Sequence, residues 1–331
     1  MASLTIKKPM CVEEKTPVDT GSSYKFKLEK ISYAVSQNEN KQDWATGGTV
    51  EGLFDYIIVA DSHGKCNGKK DLFIKKFSNI NWGEYLQNPE WKTILSNECE
   101  NIEGIGKTMR IGTTFTCVKI YKDYFEISWI GDSSAKIISY GTTADPSKSQ
   151  IVWKTKDHDA RNKEDIKILE EYYLPKTIGG ISLFKKKFSW DIQATNPTTI
   201  ENIKSYTFTI TPKNIFGVTE SLNMTRSLGH GGIFNRPLGF QTEIIPRKST
   251  DLYKIIAATD GFWPVMCEQD EKNINALLEN GASELCNISR KRWEKPWTHL
   301  PPDPSQKQDN VIIPKWNHDD IGVAVWNNFE I

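Results

Sequence analysis

The stretch YIIVADSHGK (Tyr56 to Lys65) decides how this sequence is interpreted. Its apolar run is typical of a buried strand, and the run stops at Asp61, which is followed by Ser, His and Gly. Such residues end strands because they tolerate turn geometry and hydrogen-bond to their own backbone. The stretch therefore predicts a core strand and leaves Asp61 two interpretations: a turn residue, or a carboxylate placed for chemistry near the imidazole of His63.

The composition is that of a globular protein without a strongly charged surface. The chain has 331 residues, of which 38% are hydrophobic and 25% charged, and 42 Lys and Arg balance 42 Asp and Glu. A net charge of zero argues against a dedicated nucleic-acid-binding protein, which needs a basic surface. The cysteines form no CxxC pair, so the sequence encodes no zinc site of that type.

The sequence also bears on localisation. Its first residues, MASLTIKKPMCVEEK, lack the apolar centre of a secretory signal, and no stretch approaches the roughly 18 apolar residues of a membrane helix. We therefore expect a soluble cytoplasmic protein, with the nucleus as an alternative, that has reduced thiols and neither membrane nor nucleic-acid partners. The sequence leaves the oligomeric state open.

Short runs rich in Ile, Val, Phe, Tyr and Thr recur along the chain and predict strands. They are YKFKLEKISYAV, GLFDYIIVA, TTFTCVKIY, YFEISWIG, AKIISYG and SYTFTITP. Apolar residues at helical spacing predict helices near residues 72–77, 91–102, 166–173 and 274–285. Strands come several at a time, rather than alternating with helices, so the pattern predicts an α+β fold with largely antiparallel sheets.

The domain organisation follows from composition along the chain. Residues 1–25 are polar and predict an N-terminal arm, and residues 26–331 predict one domain. The stretch over residues 293–316 is rich in Pro, Trp and Asn, and predicts a long surface loop before the last strand.

Two further strand ends carry carboxylates. The apolar run in LYKIIAATDGFWPV (252–265) ends at Asp260, and in HDDIGVAVWN (318–327) Asp319 and Asp320 precede a strand. Strand ends distant in sequence can meet at one edge of a sheet, and converging carboxylates repel unless a cation lies among them. Hard divalent ions such as Mg²⁺ and Mn²⁺ prefer such oxygen ligands. The acids are either scattered turn residues or the ligands of a hydrolytic metal site.

The order of these motifs resembles that of the metal-dependent serine/threonine protein phosphatases of type 2C. The segments that carry the resemblance, from about residue 30 onward, are ADSHGK (60–65), GTT (112–114), GDSSAKII (131–138), TKDHDARNKEDIKILEEYYLPKTIGG (155–180), LNMTRSLGH (222–230), ATDGFWPV (258–265) and DDIGVAVW (319–326). Each segment is a weak signal alone, but their common order is specific. The resemblance implies a four-layer sandwich: two antiparallel sheets packed face to face, with helix pairs on both outer faces and two Mn²⁺ or Mg²⁺ ions at one edge.

The resemblance also implies roles for individual residues. Asp61 would bridge the two ions, and the backbone carbonyl of Ser62 would bind one of them. Asp260 and Asp319 would complete the first metal site. His63 is similar to the family's general acid, which protonates the departing Ser or Thr oxygen; its alternative is a turn residue bonded to nearby backbone.

The N-terminal metal motif of the family is matched least well. In NENKQDW (38–44), Asp43 fits the second acid, Gln42 replaces a Glu, and Asn38 stands where a phosphate-binding Arg belongs. Gln brings no charge, so we expect the second ion to bind more weakly. A register that uses Glu39 stays open, and the residue that would bind the substrate phosphate is not identified.

Three other positions depart from the family. Pro264 replaces an acid that helps to hold a third, weaker ion, although Asp132, the other candidate ligand of that ion, is retained. Ser134 replaces the Arg of G-D-S-R, and His230 replaces the Asp of S-R-x-x-G-D. We interpret these last two replacements as structural changes.

The sequence thus supports three functional hypotheses. The first is metal-dependent hydrolysis of phosphoserine and phosphothreonine in a phosphoprotein substrate, by water activated between two ions. The second is a catalytically impaired relative that keeps the fold as a binding or regulatory module, which the changes at Gln42, Asn38 and Pro264 favour. The third is a phosphatase that acts on small phosphate esters.

Overall fold

The computed structural model describes most of the predicted domain. The described residues are 28–38, 41–64, 72–102, 111–142, 148–159, 161–173, 177–178, 181–182, 184–185, 190–195, 202–206, 208–210, 220–222, 224–230, 238–266, 271–300 and 303–329. The predicted polar arm over residues 1–25 and the alternative acid Glu39 lie outside these residues.

Two large antiparallel sheets form the centre of the fold. The five-stranded sheet has the order β1 (Ile31–Ser36), β21 (Ile321–Asn327), β18 (Leu252–Ala258), β7 (Ser134–Gly141) and β8 (Gln150–Lys154). The seven-stranded sheet has the order β16 (Leu228–Gly229), β4 (Ile111–Thr113), β3 (Phe54–Gly64), β5 (Phe115–Ile120), β6 (Tyr124–Ile130) and β17 (Gln241–Pro246), and β2 (Asp43–Val50) also pairs with β3.

Three smaller antiparallel sheets accompany them. One contains β13 (Asn202–Tyr206), β12 (Trp190–Thr195), β19 (Trp297–Leu300) and β20 (Gln308–Val311); the second contains β11 (Phe184–Lys185), β14 (Phe208–Ile210) and β15 (Glu220–Leu222); the third contains β10 (Ile181–Ser182) and β9 (Thr177–Ile178). The prediction of a loop over residues 293–316 is wrong, because β19 and β20 form within it. β19 pairs with β12, about a hundred residues earlier, and β20 pairs with β19, so a local pattern does not reveal these strands.

Six helices lie in the described part of the chain. They are α1 (Leu72–Ser78), α2 (Trp82–Tyr85), α3 (Trp91–Glu100), α4 (Lys163–Tyr173), α5 (Glu271–Glu279) and α6 (Ala282–Trp293). Short 3₁₀ turns occur at Trp263–Val265, Pro304–Gln306 and Lys315–Asn317. None of the described helices is long and apolar enough to cross a membrane.

The alternation of side chains along β3 produces the layers. Ile57 and Val59 point into a buried cluster that also contains Ala257 of β18 and Trp326 of β21, so the two large sheets pack face to face. Ile58, between them, faces a second cluster formed with α1, α2 and α3. On the other sheet, the residues that alternate with Ala257 face α5 and α6. The predicted α+β fold with antiparallel sheets is confirmed, and helices cover both outer faces.

The helical pattern over residues 274–285 is two helices rather than one. At the end of α5, the buried Lys254 ammonium donates to the carbonyls of Leu278 at 3.0 Å and Asn280 at 2.7 Å. These are helix-end carbonyls without intrahelical partners. Gly281 then precedes α6 as its N-cap. Burial lowers the pKa of Lys254 to about 7.

Candidate active site

The predicted acidic residues meet at one edge of the sandwich because of strand pairing. Asp43, at the start of β2, lies directly opposite Asp61 near the end of β3. Asp260 follows the end of β18, and Asp319 precedes β21. These two strands pair antiparallel, and the Thr259 N–H donates to the Gly322 carbonyl at 3.0 Å, so the two acids leave the sheet side by side.

Asp61 lies at the centre of this acidic cluster. Asp43 lies opposite it in the β2–β3 pairing, and the carboxyls of Asp260 and Asp319 are near enough for their charges to act on it. Burial, followed by the charges of Asp43, Asp260 and Asp319, raises the pKa of Asp61 well above its ordinary value. Burial likewise raises the pKa of Asp43 to about 8, even though Thr259 Oγ1 donates to Asp43 Oδ2 at 2.5 Å. The metal-free cluster is therefore protonated in part at neutral pH.

Asp319 and Asp132 also belong to the acidic cluster, because their pKa values respond to the charge of Asp260. Burial and the neighbouring Asp260 raise the pKa of each of them well above its ordinary value. The Oδ1 atoms of Asp132 and Asp260 are buried and have no hydrogen-bond partner among the described residues. A buried carboxylate oxygen without a partner is unfavourable, so these two atoms are available to a cation.

The chemistry of the donors fits a hard divalent cation. All five acids, Asp43, Asp61, Asp132, Asp260 and Asp319, offer oxygen, and their mutual repulsion is what a bound cation would relieve. Within the described residues, however, no three His, Cys, Asp or Glu side chains are already spaced as a ligand set.

Asp320 has a role that the sequence did not indicate. Its Oδ2 accepts the backbone N–H of Gln42 at 2.7 Å, and its Oδ1 accepts the backbone N–H of Asn38. The Gln42 carbonyl in turn accepts the Ser62 N–H at 3.0 Å. Asp320 thus fixes the turn before β2, and Gln42 lies across from Ser62, next to the acidic cluster. The predicted ligand roles of Gln42 and the Ser62 carbonyl stay predictions.

The Asn38 side chain is occupied by hydrogen bonds to backbone and does not replace a phosphate-binding Arg. Its side-chain amide donates to the carbonyl of His318 at 2.8 Å and also to that of Lys315. Both carbonyls belong to the loop that leads to Asp319. The amide therefore braces this loop, and no cation stands at position 38.

Pro264 and Ser134 have structural explanations. Pro264 lies in the first turn of the 3₁₀ turn over Trp263–Val265, where a missing N–H is tolerated. The Ser134 hydroxyl donates to Asp157, and the Ser134 carbonyl accepts the Trp263 indole N–H at 3.1 Å. The sequence-based interpretation of Ser134 as a structural change agrees with these contacts.

His63 contacts a second histidine, His230. Its Nε2 lies 2.7 Å from Nε2 of His230 and 3.2 Å from Oγ of Ser227, and the two imidazole rings stack with centroids 4.9 Å apart. Burial and the neighbouring His230 lower the pKa of His63 well below its usual value. The interpretation of His230 as a structural replacement misses this pair. The available signal was that a hydrogen-bonding ring replaces the family's Asp in a motif near the active site.

Several solved structures are similar to this chain. The structure of a C. elegans sex determining protein has a TM-score of 0.54 and 16% identity, with 90% of this chain and 64% of that chain covered. This chain therefore spans less than two thirds of that protein. The S. agalactiae serine/threonine phosphatase has a TM-score of 0.49, 15% identity and coverage of 89% and 98%. The Toxoplasma gondii serine-threonine phosphatase 2C has a TM-score of 0.47, 13% identity and coverage of 90% and 94%.

Comparisons of sequence give no further relatives. No protein-family model matches the chain, and no curated protein matches it. At the identities found among the solved structures, the likeness concerns the backbone fold alone.

Proposed function

We propose that this protein is a metal-dependent phosphatase that hydrolyses phosphoserine and phosphothreonine in protein substrates. The observation that carries the proposal is the acidic cluster at the edge of the sandwich, in which Asp43 lies opposite Asp61 in the pairing of β2 with β3 and the charges of Asp43 and Asp260 raise the pKa of Asp61. A group of carboxyls with raised pKa does not serve stability, since each is costly to ionise beside the others. Such a cluster is suited to Mn²⁺ or Mg²⁺.

The residues of this chain would divide the work as follows. Asp61, Asp260 and Asp319 would hold the first of two ions, with the Ser62 carbonyl, and Asp61 with Asp43 and Gln42 would hold the second. Asp132 is the candidate ligand of a third ion. Bound ions supply a water of lowered pKa and polarise the phosphoryl oxygens. His63 would deliver a proton to the departing Ser or Thr oxygen, a step that matters because an alkoxide is a poor leaving group.

A catalytically impaired binding module is the second candidate, and one observation favours it. Asn38 uses its amide to brace the loop before Asp319, so position 38 offers neither charge nor a free donor to a phosphate. Gln42 in addition brings no negative charge to the second metal site. Weak phosphate binding and weak metal binding together would lower activity without disturbing the fold.

The deciding experiment is hydrolysis of p-nitrophenyl phosphate and of a phosphothreonine peptide while Mn²⁺ is titrated in. We expect activity on both substrates that requires Mn²⁺ or Mg²⁺, disappears in EDTA and is lost in Asp260→Asn. Activity that persists in EDTA would contradict the metal mechanism. Metal binding without activity on either substrate would support the impaired module, and activity on p-nitrophenyl phosphate alone would support a phosphatase for small esters.

A further inference from the structure

His158 holds Gly131 at two points. Its backbone N–H donates to the Gly131 carbonyl at 3.0 Å, and its ring nitrogen Nδ1 accepts the Gly131 N–H at 3.2 Å. Both residues are buried, so each of these backbone groups needs a partner within the protein. Gly131 directly precedes Asp132, the candidate ligand of a third ion, in the turn between β6 and β7 (residues 131–133). A residue 27 positions later in the chain thus fixes the start of this β6–β7 turn.

The neighbours of the His158 ring decide its orientation and its hydrogen. A backbone N–H can only donate, so Nδ1, which accepts the Gly131 N–H, carries no hydrogen. Burial lowers the pKa of His158 to about 4, so the ring is neutral at neutral pH and has its hydrogen on Nε2. That nitrogen lies 3.0 Å from Oε1 of Gln241 in β17, which accepts the hydrogen. The ring also lies parallel to the indole of Trp129, with centroids 5.6 Å apart, so it is held on several sides.

The β6–β7 turn packs against the residue that holds Asp61. Gly131 has a φ of 102°, and a methyl group there would lie 2.6 Å from Cγ2 of Thr114. Thr114 forms two hydrogen bonds with the backbone of Asp61: its Oγ1 accepts the Asp61 N–H at 3.0 Å, and its N–H donates to the Asp61 carbonyl at 2.8 Å. The Thr114 hydroxyl also lies 2.5 Å from Oγ of Ser133, the last residue of the turn. The position of Asp132 relative to Asp61 therefore depends on how the turn is seated on Thr114.

We propose that His158 is a positioning residue: by accepting the Gly131 N–H through Nδ1, it sets the β6–β7 turn and directs the Asp132 carboxyl to the cation site. His158 itself would touch neither ion nor substrate. Oδ1 of Asp132 is buried and has no hydrogen-bond partner among the described residues, so the conformation of the turn orients this oxygen. The role rests on the proposed metal-dependent function.

Two substitutions of His158 separate positioning from packing. Both backbone groups of His158 are held independently of the side chain, by the Gly131 carbonyl and by the Thr225 N–H at 2.7 Å, so each substitution changes the side chain alone. Asn places a carbonyl oxygen as many bonds from the backbone as Nδ1 and can still accept the Gly131 N–H. Gln is closer to His in volume, but its polar atoms lie one bond further out, towards Gln241. A packing role predicts that His158→Gln is the milder change, whereas the positioning role predicts that His158→Asn is.

Hydrogen exchange of the Gly131 amide tests the contact without metal. In EDTA, NMR should show slow exchange of this amide in the wild-type protein and in His158→Asn, and roughly tenfold faster exchange in His158→Gln, because the amide has then lost its acceptor. His299→Asn and His299→Gln, the same changes in β19, are the controls and should leave the amide unchanged. Equal exchange in the two His158 variants, or faster exchange in His158→Asn, would overturn the proposal. A wild-type His158 ring with hydrogen on Nδ1 at neutral pH, observed by ¹⁵N NMR, would overturn it even if the variants did not fold.

Mn²⁺ binding tests the consequence for Asp132. In a calorimetric titration of the full chain, we expect the weakest binding event to weaken roughly tenfold in His158→Gln and by less than about twofold in His158→Asn, since loss of such an outer hydrogen bond commonly costs about tenfold or more in metal affinity. Equal affinities in wild type and His158→Gln, or equal losses in the two variants, would overturn the positioning role. If the wild-type protein binds no Mn²⁺, the proposed metal-dependent function fails. If it binds Mn²⁺ but Gly131 exchange is the same in both variants, only the role of His158 fails.

Discussion

Gly261 and Asp320 are in direct contact: a methyl group on Gly261 would lie 1.9 Å from the carbonyl oxygen of Asp320. This contact joins the turn after β18 to the turn before β21. Asp260 and Asp319 are the neighbours of these two residues in sequence. The approach of the two predicted metal ligands therefore depends on the absence of a side chain at position 261.

The first prediction is that Gly261→Ala separates the two turns. We expect the substitution to destabilise the protein by about 1–3 kcal/mol, as overpacking of a filled site does. It should also weaken Mn²⁺ binding, which can be measured by calorimetry. Gly239→Ala is the control, since no described atom lies within 4 Å of a methyl group there. Equal stability and metal affinity in the two variants would show that the contact does not position the acids.

The second prediction is that Asp61 lowers the stability of the protein in the absence of metal but is needed for metal binding. Asp61→Asn removes a carboxyl from a crowded acidic group whose charges repel one another, so the protein in EDTA at pH 8 should become more stable. The same change should remove the stabilisation that Mn²⁺ gives the wild-type protein. Thermal unfolding with and without Mn²⁺ measures both effects. Asp123→Asn, at an exposed position, should alter neither; a loss of stability in Asp61→Asn without metal would contradict the prediction.

The third prediction is a pH dependence with a definite sign. The pKa of Asp43 is raised from 3.8 to about 8 in the folded protein, so folding favours its protonated form. That contribution is fully present below pH 3.8 and is lost as the pH rises, until it is gone above about pH 8. The wild-type protein in EDTA should therefore lose up to about 1.4 kcal/mol per pH unit relative to Asp43→Asn across this window.

Comparing wild type with Asp43→Asn cancels the contributions of groups that do not interact with Asp43, such as His158 and Lys254. Burial lowers the pKa of His158 to about 4 and that of Lys254 to about 7, and both contribute slopes of the opposite sign within their own windows. Denaturant unfolding at several pH values gives the difference. A difference that is constant with pH would mean that Asp43 ionises normally.

The fourth prediction concerns the second metal site. Gln42 is fixed through its backbone, by Asp320 on one side and Ser62 on the other, so Gln42→Glu changes only the side chain. If that side chain is a ligand, the added charge should lower the Mn²⁺ concentration needed for activity, and the gain should shrink at saturating Mn²⁺. Gln87→Glu, an exposed residue after α2, controls for the added charge. An unmoved Mn²⁺ titration would show that Gln42 lies outside the metal site.

The fifth prediction separates chemistry from structure at His63. As a general acid, His63 matters most for a poor leaving group, so His63→Gln should slow phosphopeptide hydrolysis by about 10²-fold or more and p-nitrophenyl phosphate hydrolysis far less. Initial rates on both substrates at saturating Mn²⁺ measure the ratio. Parallel losses on the two substrates would assign His63 to packing, the alternative that its sequence context left open.

What the sequence determined by itself was the local part of this structure. Strand patterns such as that of YIIVADSHGK, and the placement of Asp260 and Asp319 just outside strands, follow from the two-residue period of a pleated strand and from turn chemistry. The predicted end of the strand at Asp61 is wrong, because β3 continues to Gly64 by pairing with β4. The antiparallel α+β class was confirmed on the same basis.

Tertiary structure alone decided which residues distant in sequence pair or form hydrogen bonds with one another. The loop predicted over residues 293–316 contains strands because β12 pairs with it, Asp320 clamps the backbone at Asn38 and Gln42, and His230 meets His63 across 167 positions. Each contact joins segments whose own patterns carry no record of the partner. Hydrogen bonds of this kind form only after sheet pairing and packing have brought the groups within about 3 Å, so no local propensity encodes them.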